Sequence, residues 1–168
     1  MALTNQNKKQ KNNTMKKLLV VLLVALSING FAQQKEIEWH TDVNKAIKIS
    51  TETGKPLFMF FTGSDWCGWC IKLQKAVFHK PEFKKWASNT VILVELDFPK
   101  RTSISPELLK QNRKLATEFG VRGYPTVWFA DANLKNGKME MNKLGFLGAQ
   151  PLDAKSWIAR ANKILNTK

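Results

Sequence analysis

Apolar positions along this chain change their spacing several times, and each change marks an element. Thr41 or Asp42 stands ready to cap a helix carrying Val43, Ala46, Ile47 and Ile49, which Gly54 and Pro56 terminate. Leu57 to Phe61 is an unbroken apolar run of strand length, the pattern of a strand buried on both faces. A helix follows that sets Cys70, Leu73 and Val77 on one side and Lys72 and Lys75 on another, until Pro81 breaks it. A short helical stretch with Phe83 and Trp86 leads to a second buried strand, Val91 to Phe98. Ser105-Pro106 opens a helix through Leu108, Leu109, Leu115, Ala116 and Phe119, closed by Gly120. Strands from Thr126 to Asp131 and from Lys138 to Phe146, joined through Asn136-Gly137, read as a hairpin. Asp153 then caps a last helix with Trp157, Ile158, Ala161, Ile164 and Leu165 facing inward. This order predicts an α/β protein whose central mixed β-sheet is flanked by helices on both faces.

The first 32 residues follow a different pattern. From Met15 the chain runs Lys16-Lys17, then nine apolar residues from Leu18 to Leu26, then a stretch ending Gly30-Phe31-Ala32. A positive start, a short apolar core and small residues at Gly30 and Ala32 describe a secretory signal cut after Ala32. Nine residues fall well short of the ~20 that span a bilayer. Residues 1–32 are therefore expected to be leader and signal peptide, with Met15 an alternative start, and 33–168 the folded domain. The alternative is an uncleaved N-terminal anchor extended by Ile28 and Phe31. Either way the domain is expected in the periplasm. No cysteine follows the apolar core, which excludes a lipoprotein anchor.

Composition bounds what such a domain can do. A chain of 168 residues, 43% apolar, is one globular domain with a real core. Two cysteines cannot build a disulfide framework or fill a four-cysteine zinc site. The net charge of +14 needs its distribution examined before it suggests nucleic acid. Five lysines precede residue 33, where there is no acid; the remainder carries 22 basic against 13 acidic residues and no Arg-rich block. That describes a solvated basic surface suited to acidic partners rather than to nucleic acid.

Chemistry is concentrated in Trp66-Cys67-Gly68-Trp69-Cys70, at the junction of the first buried strand and its helix. A helix beginning at Cys67 would aim its unpaired N–H groups and dipole at that sulfur and favour the thiolate. Residues three apart on a helix have Cβ atoms about 5–6 Å apart, near the separation a disulfide closes. Cys67 thus reads as the attacking nucleophile and Cys70 as the resolving thiol of a two-step exchange. Competing readings are weaker. Zinc lacks a second cysteine pair, and His40 and His79 are the only histidines; a c-type haem needs histidine where Ile71 stands. A structural disulfide would close too short a loop to add much stability. Neither metal nor cofactor is expected.

Those five residues after a buried strand, with Gly123-Tyr124-Pro125-Thr126 further on, resemble the thioredoxin superfamily, and Asp65 to Cys70 is similar to its exported thioredoxin-like members. The likeness runs from about Ile37 to Leu165 and implies the thioredoxin fold. It also implies that Pro125 is a cis-proline packed on the active-site disulfide, and that Tyr124 docks a substrate strand through its backbone. An ordinary turn is the alternative reading of Gly-Tyr-Pro. Two departures bear on mechanism. Gly68-Trp69 stands where thioredoxin has Gly-Pro between its cysteines, and no histidine there stabilises a thiolate. Thioredoxin's buried aspartate in the first central strand has no counterpart in Leu57 to Phe61, so Glu95 becomes the possible proton shuttle, with a water-facing strand edge as its alternative.

Trp69, and less so Trp66, could form an apolar collar for a flexible substrate, or could merely pack against the sheet. Pro99 to Ile104 reads as an insertion, either a partner-contact loop or a surface excursion. The expectation is an exported monomeric thiol:disulfide oxidoreductase that reduces or isomerises protein disulfides. An oxidising periplasm implies a membrane electron donor for such a reductase. The alternatives are a dithiol oxidase and a non-catalytic binding or chaperone module.

Overall fold

The computed structural model describes residues 36–135 and 138–167. The signal-peptide reading of residues 1–32 and the Asn136-Gly137 turn lie outside the described residues. The elements, in chain order, are β1 (Trp39–His40), α1 (Val43–Thr53), β2 (Leu57–Thr62), α2 (Gly68–Leu73) with a π-helical continuation (Gln74–Phe78), α3 (Pro81–Thr90), β3 (Ile92–Asp97), α4 (Pro106–Glu118), β4 (Thr126–Lys135), β5 (Lys138–Leu147) and α5 (Ala154–Leu165). The strands form one mixed sheet in the order β1-β3-β2-β4-β5. β3 is parallel to both β1 and β2, while β2–β4 and β4–β5 are antiparallel. Among the described residues no helix is long and apolar enough to cross a membrane.

All six residues of β2 are buried. The strand alternates between two cores, as side chains on successive strand residues must. Phe58 and Phe60 join Cys67, Cys70, Leu73, Phe78, Phe83 and Trp157 on one face. Leu57, Met59 and Phe61 join Ile47, Val94, Leu115 and Phe119 on the other. Phe58 is the hub of the first core, with the rings of Trp39, Phe78, Phe83, Trp86, Phe129 and Trp157 at centroid distances of 5.4–6.4 Å. Such aromatic pairs contribute about 0.5–1.5 kcal/mol each beyond the area they bury.

The predicted caps form as the residue types require. Asp42, Ser105 and Asp153 accept from the backbone N–H groups of Asn44, Leu108 and Ser156, and Gly54 ends α1 in the left-handed region at φ 69°. Four differences from the sequence expectation have local causes. β1 is two residues long and has no period of its own, so only its pairing to Leu93 and Val94 makes it a strand. The helix after the cysteines widens into a π turn before Pro81, burying the consecutive Val77 and Phe78. Pro81 then starts α3, in the first turn where a missing N–H costs nothing. β4 runs past Asp131 to Lys135 because β5 continues to pair with it after β2 stops at Ala130.

Candidate active site

β2 delivers the chain to the cysteines, and Gly63 makes the turn possible. A side-chain Cβ at Gly63 would run into the indole of Trp66, so that ring can lie against the backbone only because position 63 is glycine. Trp66 donates its indole N–H to the carbonyl of Phe98 at 2.8 Å and meets the ring of Tyr124 edge-on at 5.8 Å. Phe98 and Tyr124 are themselves in contact at 5.2 Å. Trp66 therefore ties the cysteine loop to its neighbours, as the packing alternative of its two readings has it. Trp69 is the exposed one, at 50%.

Cys67 is the N-cap of α2, with Gly68 the first helical residue, and its sulfur accepts from the Cys70 backbone N–H at 3.2 Å. The pair is joined as a disulfide with the two Cα atoms 5.2 Å apart. Cys67 keeps 6% of its surface exposed while Cys70 has none, so an incoming thiolate or disulfide reaches Cys67 first. A Cys67 thiolate held in this same geometry would be favoured by that helix N-terminal N–H group.

The Tyr124–Pro125 peptide bond is cis, as is Gln150–Pro151, which carries no sequence signal of its own. Pro125 is buried, and Tyr124 is half-buried with its phenol pKa raised by desolvation. Tyr124 comes to the cysteine loop through Trp66, which brings the two predicted motifs together.

Glu95 pairs in register with Phe60, so it shares the sheet face of the cysteines. It is half-buried, and its carboxyl pKa is raised, first by desolvation and then by the charge of Asp97. β1 ends opposite Val94, which leaves β3 unpaired on that side at Glu95. The two readings of this residue thus meet: it lies at an effective strand edge and on the reactive face. Two residues beyond Phe60 on β2, opposite Asp97, the Thr62 hydroxyl is buried without a hydrogen-bond partner.

The sequence does not foretell how the insertion after β3 is held. Asp65 accepts from the backbone N–H groups of Lys100 at 3.0 Å, Arg101 at 2.7 Å and Thr102 at 2.8 Å, and from the Thr102 hydroxyl at 3.2 Å. The N–H of Lys100 and its neighbours, outweighing some desolvation, lower its pKa to about 2. One residue earlier, Ser64 donates its N–H and hydroxyl to the two oxygens of Asp97. The clasp sets the Lys100 ammonium 3.9 Å from the centroid of the Trp66 ring. A free Asp in the cysteine loop and a six-residue insertion were the only signals, and neither names the other as its partner.

With this geometry in hand the comparisons are specific. A thioredoxin-like domain model matches residues 43–150. A disulfide bond reductase, DsbH, of Chlamydia pneumoniae is 31% identical over 132 residues, covering 79% of this chain and 75% of its own. A solved DsbH oxidoreductase superposes with a TM-score of 0.70 at 30% identity, over 79% of this chain and 87% of that one. The thioredoxin-related protein DsbJ of the same organism is 30% identical over 148 residues, 85% of this chain but 41% of DsbJ. With the paired cysteines at the strand–helix junction and the matching sheet, these place the chain in the thioredoxin-like family, as one of its protein-disulfide oxidoreductases.

Proposed function

We propose that the protein is an exported reductase or isomerase of protein disulfides, acting through Cys67 and Cys70. The observation that carries this reading is the asymmetry of the pair: a reachable sulfur capping a helix, backed by a fully buried one. The Cys67 thiolate attacks one sulfur of a substrate disulfide, forming a mixed disulfide and releasing the other substrate sulfur as a thiolate that takes up a proton. Cys70, deprotonated, attacks the Cys67 sulfur, closes the Cys67–Cys70 bond and releases the second substrate thiolate. Two electrons pass from the dithiol to the substrate, and a dithiol donor at the membrane must restore them. Glu95 accepts the Cys70 proton in this scheme, burial and the charge of Asp97 having raised its carboxyl pKa and so its affinity for a proton. Tyr124 and Pro125, joined by a cis bond just before β4, are assigned to meet the substrate backbone, and exposed Trp69 to give it apolar contact.

Replacing Cys70 by serine removes the resolving thiol. The variant is expected to trap client proteins as mixed disulfides on Cys67, read by non-reducing electrophoresis and lost in a Cys67→Ser control. A binding module would keep its clients and trap nothing covalent. Direction is read from the reduction potential in thiol:disulfide buffers: a value near about −270 mV supports a reductase, whereas one near about −120 mV makes the protein an oxidant.

A further inference from the structure

We infer that the rim of the cysteine site selects disulfides flanked by acidic residues; this rests on the dithiol reading above. Two ammonium groups sit on the two tryptophans that bracket Cys67. Lys100 lies 3.9 Å from the Trp66 ring and Lys72 lies 4.8 Å from the Trp69 ring. Arg101 follows Lys100 in the same clasped turn, and Arg122 precedes the Gly123-Tyr124-Pro125 segment. All four cations are exposed, and among the described residues none of them forms an ion pair with a carboxylate.

The nearby acids cannot cancel them by pairing. Asp65 is occupied by three backbone N–H groups and a hydroxyl, and Asp97 by Ser64. Those same bonds fix the turn that carries Lys100 and Arg101, so the positive charge is held in place before substrate arrives, and less entropy is lost on engaging it. A substrate strand lying along Tyr124 toward Cys67 would carry the residues beside its own cysteine past these cations. Aspartate or glutamate there gains from the field, and lysine or arginine is repelled. The occupant is accordingly an acidic segment of a protein disulfide.

The test uses the reduced full-length protein and disulfide-linked peptide dimers, each peptide bearing one cysteine flanked by aspartate, by serine or by lysine. Oxidation of Cys67 and Cys70 is followed by tryptophan fluorescence. Each second-order rate is divided by that of dithiothreitol on the same peptide, which removes the intrinsic reactivity of the substrate thiol. The expected preference for the aspartate over the lysine peptide is about tenfold at low salt, the scale of electrostatic steering by a few exposed charges. It should shrink toward one at about 1 M salt, where the Debye length is about 3 Å. The Lys72→Gln/Lys100→Gln double variant should lose most of the preference. Lys110→Gln/Lys114→Gln, on the groove between α1 and α4 on the opposite sheet face, should keep it. A ratio at or below one, or an equal loss in both double variants, overturns the inference while leaving the dithiol chemistry standing. A protein that oxidises with none of the peptides overturns both.

Discussion

Glu95 on β3 and Asp65 in the cysteine loop show how two carboxylates take opposite roles from their surroundings. Glu95 is driven toward its neutral form by burial and by Asp97. A folded-state pKa raised in this way favours the native state at low pH, and that gain is lost as pH rises through the raised value. Glu95→Gln should therefore unfold at the same or higher urea concentration than the parent at pH 8. If Glu95 takes the Cys70 proton, the same variant should release substrate from the mixed disulfide more slowly, by up to about a hundredfold, with the pH inflection of that step removed. Stopped-flow rates across pH separate the two effects, since a purely packing role leaves the inflection in place. Asp65 carries the opposite sign. Its pKa is lowered to about 2 from the ordinary 3.8, so the stability it contributes is present above that ordinary value and is lost as pH falls toward 2. Asp65→Asn should narrow the distance in urea midpoint from the parent as pH drops from 5 to 2, and at neutral pH should free the 100–102 turn to faster amide exchange.

At the scale of elements, helices whose ends carry chemistry were legible in the chain. Asp42, Ser105 and Asp153 name their own helices because capping is decided within a few residues. β2 was legible because Leu57 to Phe61 is an unbroken apolar run of strand length, and the structure buries it whole, Thr62 included. What was not legible depended on partners far away. β1 exists because β3 offers it hydrogen bonds, and the π turn exists because Val77 and Phe78 must both reach the first core. The site divides the same way. Cys67 and Cys70 could be read from their own spacing, and the cis Tyr124-Pro125 bond from the resemblance to the thioredoxin superfamily. The Asp65 clasp could not, because its acceptor and its donors lie 35 to 37 residues apart and meet only once β2 and β3 are side by side. The packing partner of Trp66 was hidden for a related reason, since its indole N–H finds Phe98 across the same gap.

For the whole molecule, the reactive pair is built into the larger of two cores rather than mounted on it. Cys70 and Leu73 share that core with Phe58, whose ring is surrounded by six other aromatic rings. Phe58→Ala should cost about 3–5 kcal/mol of stability, measured from urea midpoints, a large share of the ~5–15 kcal/mol typical of a domain. The central placement of β2 has one more consequence. Its amides are bonded between β3 and β4 and roofed by both cores, so they belong to the part of a fold that opens only when everything opens. The cysteine loop hangs from the end of that strand. Heat or denaturant short of global unfolding should therefore fray the periphery before the strand from which the redox pair hangs, so the proposed disulfide exchange is expected to outlast the structure of less stable clients.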